Sequence, residues 1–124
     1  PMAGQAHHFR QYAPIKIKYA IKRYTDEVNR LYGVMNKQLK KNEFLAGRYS
    51  IADMACWGWI IPWKNQGQKI SDFPHLKRWF EQVGQRPAVI KGFAAGKEMR
   101  KQLLSENTKE AKKAKSILFN QRSR

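Results

Sequence analysis

The stretch that decides the fold is GRYSIADMACWGWIIPW, residues 47–63. Ser50 is a good helix N-cap, because its hydroxyl can accept a hydrogen bond from a free backbone N–H of the first turn. Asp53 follows three residues later and can accept a hydrogen bond from the backbone N–H of Ser50, which completes a capping box. The sequence therefore predicts a helix that begins at Ile51.

The helix after this cap is apolar on every side, with Trp57 and Trp59 among its residues. A helix of that kind is buried in a protein core or in a membrane. A membrane span needs about 20 apolar residues, and Pro62 breaks this helix much earlier. We therefore predict the central helix of a protein core, in which both tryptophans serve as packing rather than as ligand contacts.

The remaining chain also follows helical patterns. Apolar residues at three- and four-residue steps predict one long amphipathic helix from about Pro14 to Lys41. A further helix has Pro74 in its first turn. Its predicted apolar stripe is Leu76, Trp79, Phe80 and Val83. Asn107 and Glu110 resemble a weak capping box and predict a last helix over roughly residues 108–119. Because no segment alternates as a strand would, the predicted fold class is all-α.

Composition narrows the environment and the partners. The 124 residues suggest one domain with a real core, and the single cysteine, Cys56, excludes an internal disulfide. Its apolar neighbours favour a small buried side chain over a reactive thiol. The sequence shows no signal peptide or transmembrane segment, so we predict a cytoplasmic protein that does not enter the membrane.

The charge is strongly positive. Twenty-five Lys and Arg against nine Asp and Glu give a formal net charge of +16. Such a charge indicates binding to a polyanion such as nucleic acid, or serves solubility alone. A stand-alone basic helical module that contacts phosphates is therefore one functional hypothesis, and its binding would weaken steeply with salt.

Familiar catalytic motifs are missing from the sequence. It has no HExxH, no phosphate loop, no GxSxG and no GxGxxG. The adjacent His7 and His8 point apart on a helix, so we predict no metal site and no catalytic residue in this chain. Arg23 lies beside the apolar position Tyr24. It could grip a carboxylate with two hydrogen bonds, or be an exposed charge on a basic helix.

Two long motifs, YSIADMACWGW (49–59) and FPHLKRWFEQVGQRPAV (73–89), resemble the C-terminal helical domain of bacterial glutathione transferases. Two others, GQAHHF (4–9) and YAIKRYTDEVNRLYGVMNKQL (19–39), are similar to the Nu class. Members of that class bind two glutathiones or one glutathione disulfide and act as disulfide-bond reductases. The resemblance implies a helical bundle over residues 1–95.

The resemblance also implies what surrounds this domain. Residues 96–124 match basic C-terminal extensions of close relatives. Pro1 would fall partway along the first helix of the domain, after a thioredoxin-like domain that binds most of the glutathione. The whole enzyme is implied to be a homodimer that uses glutathione with an electrophile or a disulfide substrate. The present chain by itself is expected to lack the catalytic domain and to be inactive.

Some site residues are implied to remain. Arg23 matches the family arginine that contacts a glutathione carboxylate, and Gln5 matches a stretch beside the active-site cleft. Ala6 stands where relatives often have Asn, which puts a polar contact at that position in doubt. The pocket for the second substrate is implied to be lined by His8, Phe9 and Tyr12. Trp57 or Trp59 could also line it, although core packing is the preferred role for both.

Overall fold

The computed structural model describes residues 1–97, 101 and 109–119, and its regular elements are helices, as predicted for an all-α protein. A π-helical turn, His8–Tyr12, directly follows the first helix, and a 3-10 turn, Ile70–Asp72, precedes the fourth. The α-helices are α1 Met2–His7, α2 Lys18–Lys41, α3 Ile51–Ile60, α4 Pro74–Gly84, α5 Pro87–Ala94 and α6 Lys109–Phe119. None of these helices is both long and apolar enough to cross a membrane.

The chain divides into two compact units. Pro1–Arg86 contains α1 to α4, and Pro87–Arg124 contains α5 and α6. The domain boundary expected near residue 95 stays a prediction. The last helix begins at Lys109, close to the predicted start, while Asn107 of the predicted cap lies outside the described residues.

The start of α3 follows local chemistry. Ser50 caps the helix by accepting a hydrogen bond from the N–H of Ala52 at 3.3 Å, and Asp53 Oδ2 accepts one from the N–H of Ser50 at 2.9 Å. The other oxygen of Asp53 accepts from the N–H of Leu45 at 3.0 Å and from the indole of Trp79 at 2.7 Å. One fully buried carboxylate thus joins the preceding loop, α3 and α4.

Helices α2 and α4 cap each other. The side-chain oxygen of Asn36 accepts hydrogen bonds from the N–H groups of His75 and Leu76, at 2.9 and 3.0 Å. In return, the guanidinium of Arg78 donates to the carbonyl of Leu39 at 3.0 Å, near the end of α2. Both contacts satisfy backbone groups that a helix end leaves without an intrahelical partner.

The core lies between α2 and α4. Its main buried side chains are Val28, Tyr32, Leu39, Leu76, Trp79 and Val83. The stripe predicted for α4 is confirmed at Leu76, Trp79 and Val83.

Two expectations from the sequence were wrong. Helix α3 is not buried on all sides, because Ile51 is 81%, Met54 55% and Trp59 57% exposed. Helix α2 begins at Lys18 rather than Pro14, since the chain from Ala13 to Ile17 is not helical. Ala13 has the extended backbone that a residue before proline prefers.

Replacing Asp53 by Ala should destabilise the protein far more than removing an exposed aspartate. Four donors, two of them backbone N–H groups, would lose their acceptor, so we expect a loss of about 2–4 kcal/mol in the free energy of unfolding. Ser50→Ala, which removes only a cap, should cost about 1 kcal/mol. Urea unfolding followed by tryptophan fluorescence measures both.

The matched control is Asp72→Ala. Its carboxylate is 57% exposed and lies 3.8 Å from Lys69, so its loss should cost under about 0.5 kcal/mol. Equal destabilisation by the Asp53 and Asp72 variants would contradict the central role of the buried carboxylate.

Candidate functional site

The first candidate surface is the π-helical turn that follows α1. Within it the N–H of Ala13 bonds to the carbonyl of His8 at 2.9 Å, a five-residue step. Turns of this type frequently occur at functional sites. The ring of Phe9 stacks on Tyr24 of α2 with centroids 5.4 Å apart and planes 9° apart, which holds this turn against the long helix.

Aromatic rings gather around this turn. His8 meets Phe9 edge-on at 5.2 Å, and Tyr12 tilts against His7 at 5.1 Å. We call the rings of His7, His8, Phe9, Tyr12 and Tyr24 the aromatic cluster. The three residues that the resemblance assigns to a second-substrate pocket thus lie on one turn, where His8 contacts Phe9 and Tyr12 contacts His7. Burial lowers the pKa of the His7 imidazole, so its neutral form is favoured near neutral pH.

The second candidate surface is a shallow depression of about 200 Å³ on α2. It is lined by Tyr19, Lys22, Arg23 and Asp26. Tyr19 is 78% exposed and lies one helical turn before Arg23, so both side chains share a face of the helix. The sequence analysis did not include Tyr19 among the site residues. Its four-residue spacing from Arg23 would have indicated that the two side chains share a face of the helix.

Arg23 and Arg30 both lie close to the carboxylate of Glu27. Its guanidinium lies 3.9 Å from Glu27, beyond hydrogen-bonding distance. Arg30 instead donates to both oxygens of Glu27, at 3.0 and 2.7 Å, and this pairing holds the pKa of Glu27 below its ordinary value. Arg23 therefore keeps a long ion pair with Glu27, while the hydrogen bonds of that carboxylate go to Arg30.

The two surfaces share no residue, and a ring contact connects them. Gln5 is exposed on α1, and neither Gln5 nor any ring of the aromatic cluster lines the depression beside Arg23. The link is the stack of Phe9 on Tyr24, the residue next to Arg23. Because adjacent residues on a helix point in different directions, this stack holds the turn against α2 without making Arg23 part of the aromatic cluster.

Metal-binding side chains and the thiol of Cys56 are the remaining groups that bear on catalysis. Across the described parts of the chain, no three His, Cys, Asp or Glu side chains come together to hold a metal ion. Cys56 is half-buried, and burial, aided by the charge of Asp53, raises the pKa of its thiol. A raised pKa leaves little thiolate at neutral pH, so Cys56 is poorly suited to act as a nucleophile.

Comparison with known proteins shows which family this chain resembles. Residues 4–87 match the family model described as "Glutathione S-transferase, C-terminal domain". The chain is 48% identical over 90 residues to the disulfide-bond oxidoreductase YfcG of Escherichia coli, covering 72% of this chain and 42% of that protein.

Solved structures give the same relationship. A glutathione transferase from Burkholderia graminis with two glutathione molecules per subunit is 33% identical with a TM-score of 0.70, over 78% of this chain and 44% of that one. A glutathione transferase from Phanerochaete chrysosporium in complex with oxidized glutathione is 32% identical with a TM-score of 0.71, over 82% and 47%. The chain therefore spans less than half the length of each relative named here.

The raised pKa of Cys56 predicts slow alkylation. Because the folded thiol ionises at a higher pH than an unperturbed one, its rate with iodoacetamide should rise with pH along a curve displaced to higher pH. The reference is a peptide of residues 51–61, in which the same cysteine is solvated. A folded chain that reacts with its midpoint at or below that of the peptide would show that the thiol is activated.

Proposed function

The chain belongs to the glutathione S-transferase family as a C-terminal helical domain, and we propose that it forms the second-substrate side of a glutathione-dependent disulfide reductase. A preceding domain would bind most of the glutathione and activate its thiol, so the present chain would be inactive without it. The disulfide oxidoreductase name of the E. coli relative and the glutathione-bound relatives support this proposal.

The observation that carries the proposal is the guanidinium of Arg23, whose fork forms only a long ion pair with Glu27. It lines a depression with Tyr19 and is 54% exposed, while Arg30 makes the hydrogen bonds to Glu27. A guanidinium binds a carboxylate through two parallel hydrogen bonds, and glutathione carries two carboxylates. The surplus positive charge of the chain would also draw the anionic peptide toward this surface.

The aromatic cluster would then form the wall for the second substrate. The thiolate of one glutathione attacks a disulfide sulfur of the substrate, which forms a mixed disulfide and releases a substrate thiolate. A second glutathione attacks the mixed disulfide at the glutathione sulfur, giving glutathione disulfide and the second substrate thiol. This chain contributes the grip of Arg23 and the apolar surface of Phe9 and Tyr12, and the two released thiolates take up protons from solvent.

The exposed side of α3 supports a larger assembly. Ile51, Met54 and Trp59 are each more than half exposed to solvent. Apolar patches of this kind mark interaction sites and cause self-association when left open. In the whole protein, which we place in the cytoplasm as a homodimer, another domain or subunit would cover this face.

The role of Arg23 can be tested in a chimera that joins this chain to the part of YfcG that it does not match. Arg23→Ala should weaken glutathione binding about 10- to 100-fold, since a charged bidentate contact contributes about 1.5–3 kcal/mol. Arg23→Lys should recover only part of the loss, because an ammonium lacks the planar fork. Isothermal titration and the KM for glutathione in a disulfide-reduction assay report the effect.

Lys77→Ala is the matched control. Lys77 lies 3.8 Å from Glu81 at four-residue spacing and is 49% exposed, much like Arg23 with Glu27, but it belongs to α4. Its removal should leave glutathione affinity unchanged. An Arg23→Ala chimera that binds glutathione as well as the Lys77 control would overturn the proposed grip.

A second candidate function is binding to duplex nucleic acid. The observation that favours it is an open groove of about 550 Å³ at the end of α2, lined by Val34, Lys37, Gln38, Lys40 and Lys41. Against it, lysines in the last turn of a helix also serve the negative end of the helix dipole without any partner.

Changing Lys37, Lys40 and Lys41 together to Gln should weaken duplex binding and flatten its salt dependence if the groove contacts phosphates. The charge-matched control changes Lys64, Lys69 and Lys77 to Gln. Fluorescence anisotropy at several salt concentrations compares the two triple variants. If both triple variants weakened binding equally, the loss would follow from the lower net charge alone, and the groove would not be a binding site.

A further inference from the structure

Two buried glutamines fix the segment after α3 against α2. Gln66 is fully buried, and its side-chain oxygen accepts a hydrogen bond from the hydroxyl of Tyr32 at 2.8 Å. Gln68 is 6% exposed and donates to the backbone carbonyl of Thr25 at 2.9 Å. The residue between them, Gly67, therefore has its backbone held at a set position beside α2.

Gly67 faces the guanidinium of Arg10. Its φ of +75° lies in the region that favours glycine. A Cβ built at Gly67 would lie 2.6 Å from Cζ of Arg10 and 2.8 Å from its Nη1, closer than non-bonded atoms approach. The guanidinium thus occupies the space that any other residue at position 67 would fill with its side chain.

Arg10 is partly buried at this position. Its Nε is shielded from solvent and has no hydrogen-bond partner within the described residues, so its contact with the backbone of Gly67 is one of packing. Its carbonyl accepts a hydrogen bond from Nζ of Lys16 at 2.8 Å. Arg10 stands in the middle of the π-helical turn, immediately after Phe9 of the aromatic cluster.

We propose that Arg10 and Gly67 are positioning residues that set the placement of the turn His8–Tyr12 and thereby select the second substrate. The contacts run from α2 through the buried glutamines to Gly67 and across to Arg10, and the backbone of the same turn joins Arg10 to Phe9 and Tyr12. The part of this inference that concerns the second substrate rests on the proposed function. The part that concerns the placement of the turn does not.

The placement is tested on the 124-residue chain by hydrogen exchange of the Ala13 amide, which is bonded to His8. Gly67→Ala should displace the flexible guanidinium and speed this exchange about 5- to 30-fold, the range expected for loss of a good local contact. Gly47→Ala is the control, since Gly47 has φ +84° but no atom within 4 Å of the added Cβ. It shares the backbone strain without the contact, and its exchange at Ala13 should change less than about 2-fold.

Arg10→Ala provides the second variant, which leaves the backbone at Gly67 unstrained. It should also speed exchange at Ala13, because the turn loses the same contact. In the double variant Arg10→Ala/Gly67→Ala, exchange at Ala13 should be no faster than in the faster of the two single variants, since substitutions that remove one shared contact are not additive. The proposed contact path would be overturned if the two increases in exchange rate multiplied in the double variant, or if exchange were no faster than in the Gly47 control.

Substrate selection is tested in the chimera with YfcG. Arg10→Ala should raise the KM for a disulfide substrate several-fold and leave the KM for glutathione unchanged, because Arg23 lies on α2 outside the turn. An equal change in both constants, or a change in neither, would overturn the role in selection. A chimera without any disulfide reductase activity would count against the proposed function, while the exchange result at Ala13 would still decide the contact path.

Discussion

The buried carboxylate of Asp53 is the interaction on which the packing of the first unit depends. A charge taken out of water is costly unless hydrogen bonds replace its hydration. Here the replacements come from the backbone of Ser50 and Leu45 and from the indole of Trp79. Each donor belongs to a different element, so satisfying one carboxylate fixes the start of α3, the loop before it and the position of α4 together.

Helix α2 extends this arrangement along its length. Its C-terminal half exchanges caps with α4 through Asn36 and Arg78. Its middle receives the buried glutamine segment at Tyr32. Its N-terminal half carries Arg23 and receives Phe9 on Tyr24, so the candidate site occupies the end of the helix that the core packing leaves most open. A rigid core at one end thus supports a ligand surface at the other.

Local patterns predicted the elements well where the physics is local. The Ser50–Asp53 box, the start at Ile51 and the stripe of α4 all follow from contacts within a few residues. The prediction for α3 was wrong because apolarity shows that a face needs covering, but not whether this chain covers it. Trp57 packs on Phe80 and donates its indole N–H to the Phe80 carbonyl at 3.0 Å, whereas Trp59, two residues on, is 57% exposed.

The sequence by itself determined the helical class, the cap of α3, the family resemblance and the candidates Arg23 and Phe9, because these depend on residue order and short spacings. The spacing on α2 also places Arg23 and Arg30 within reach of Glu27, and the structure shows that Arg30 makes the hydrogen bonds while Arg23 keeps a long ion pair. Only the tertiary structure decided that Arg10 fills the space beside Gly67. These two residues lie far apart in the chain, so local spacing cannot show that they meet, and the contact is settled only when the chain packs.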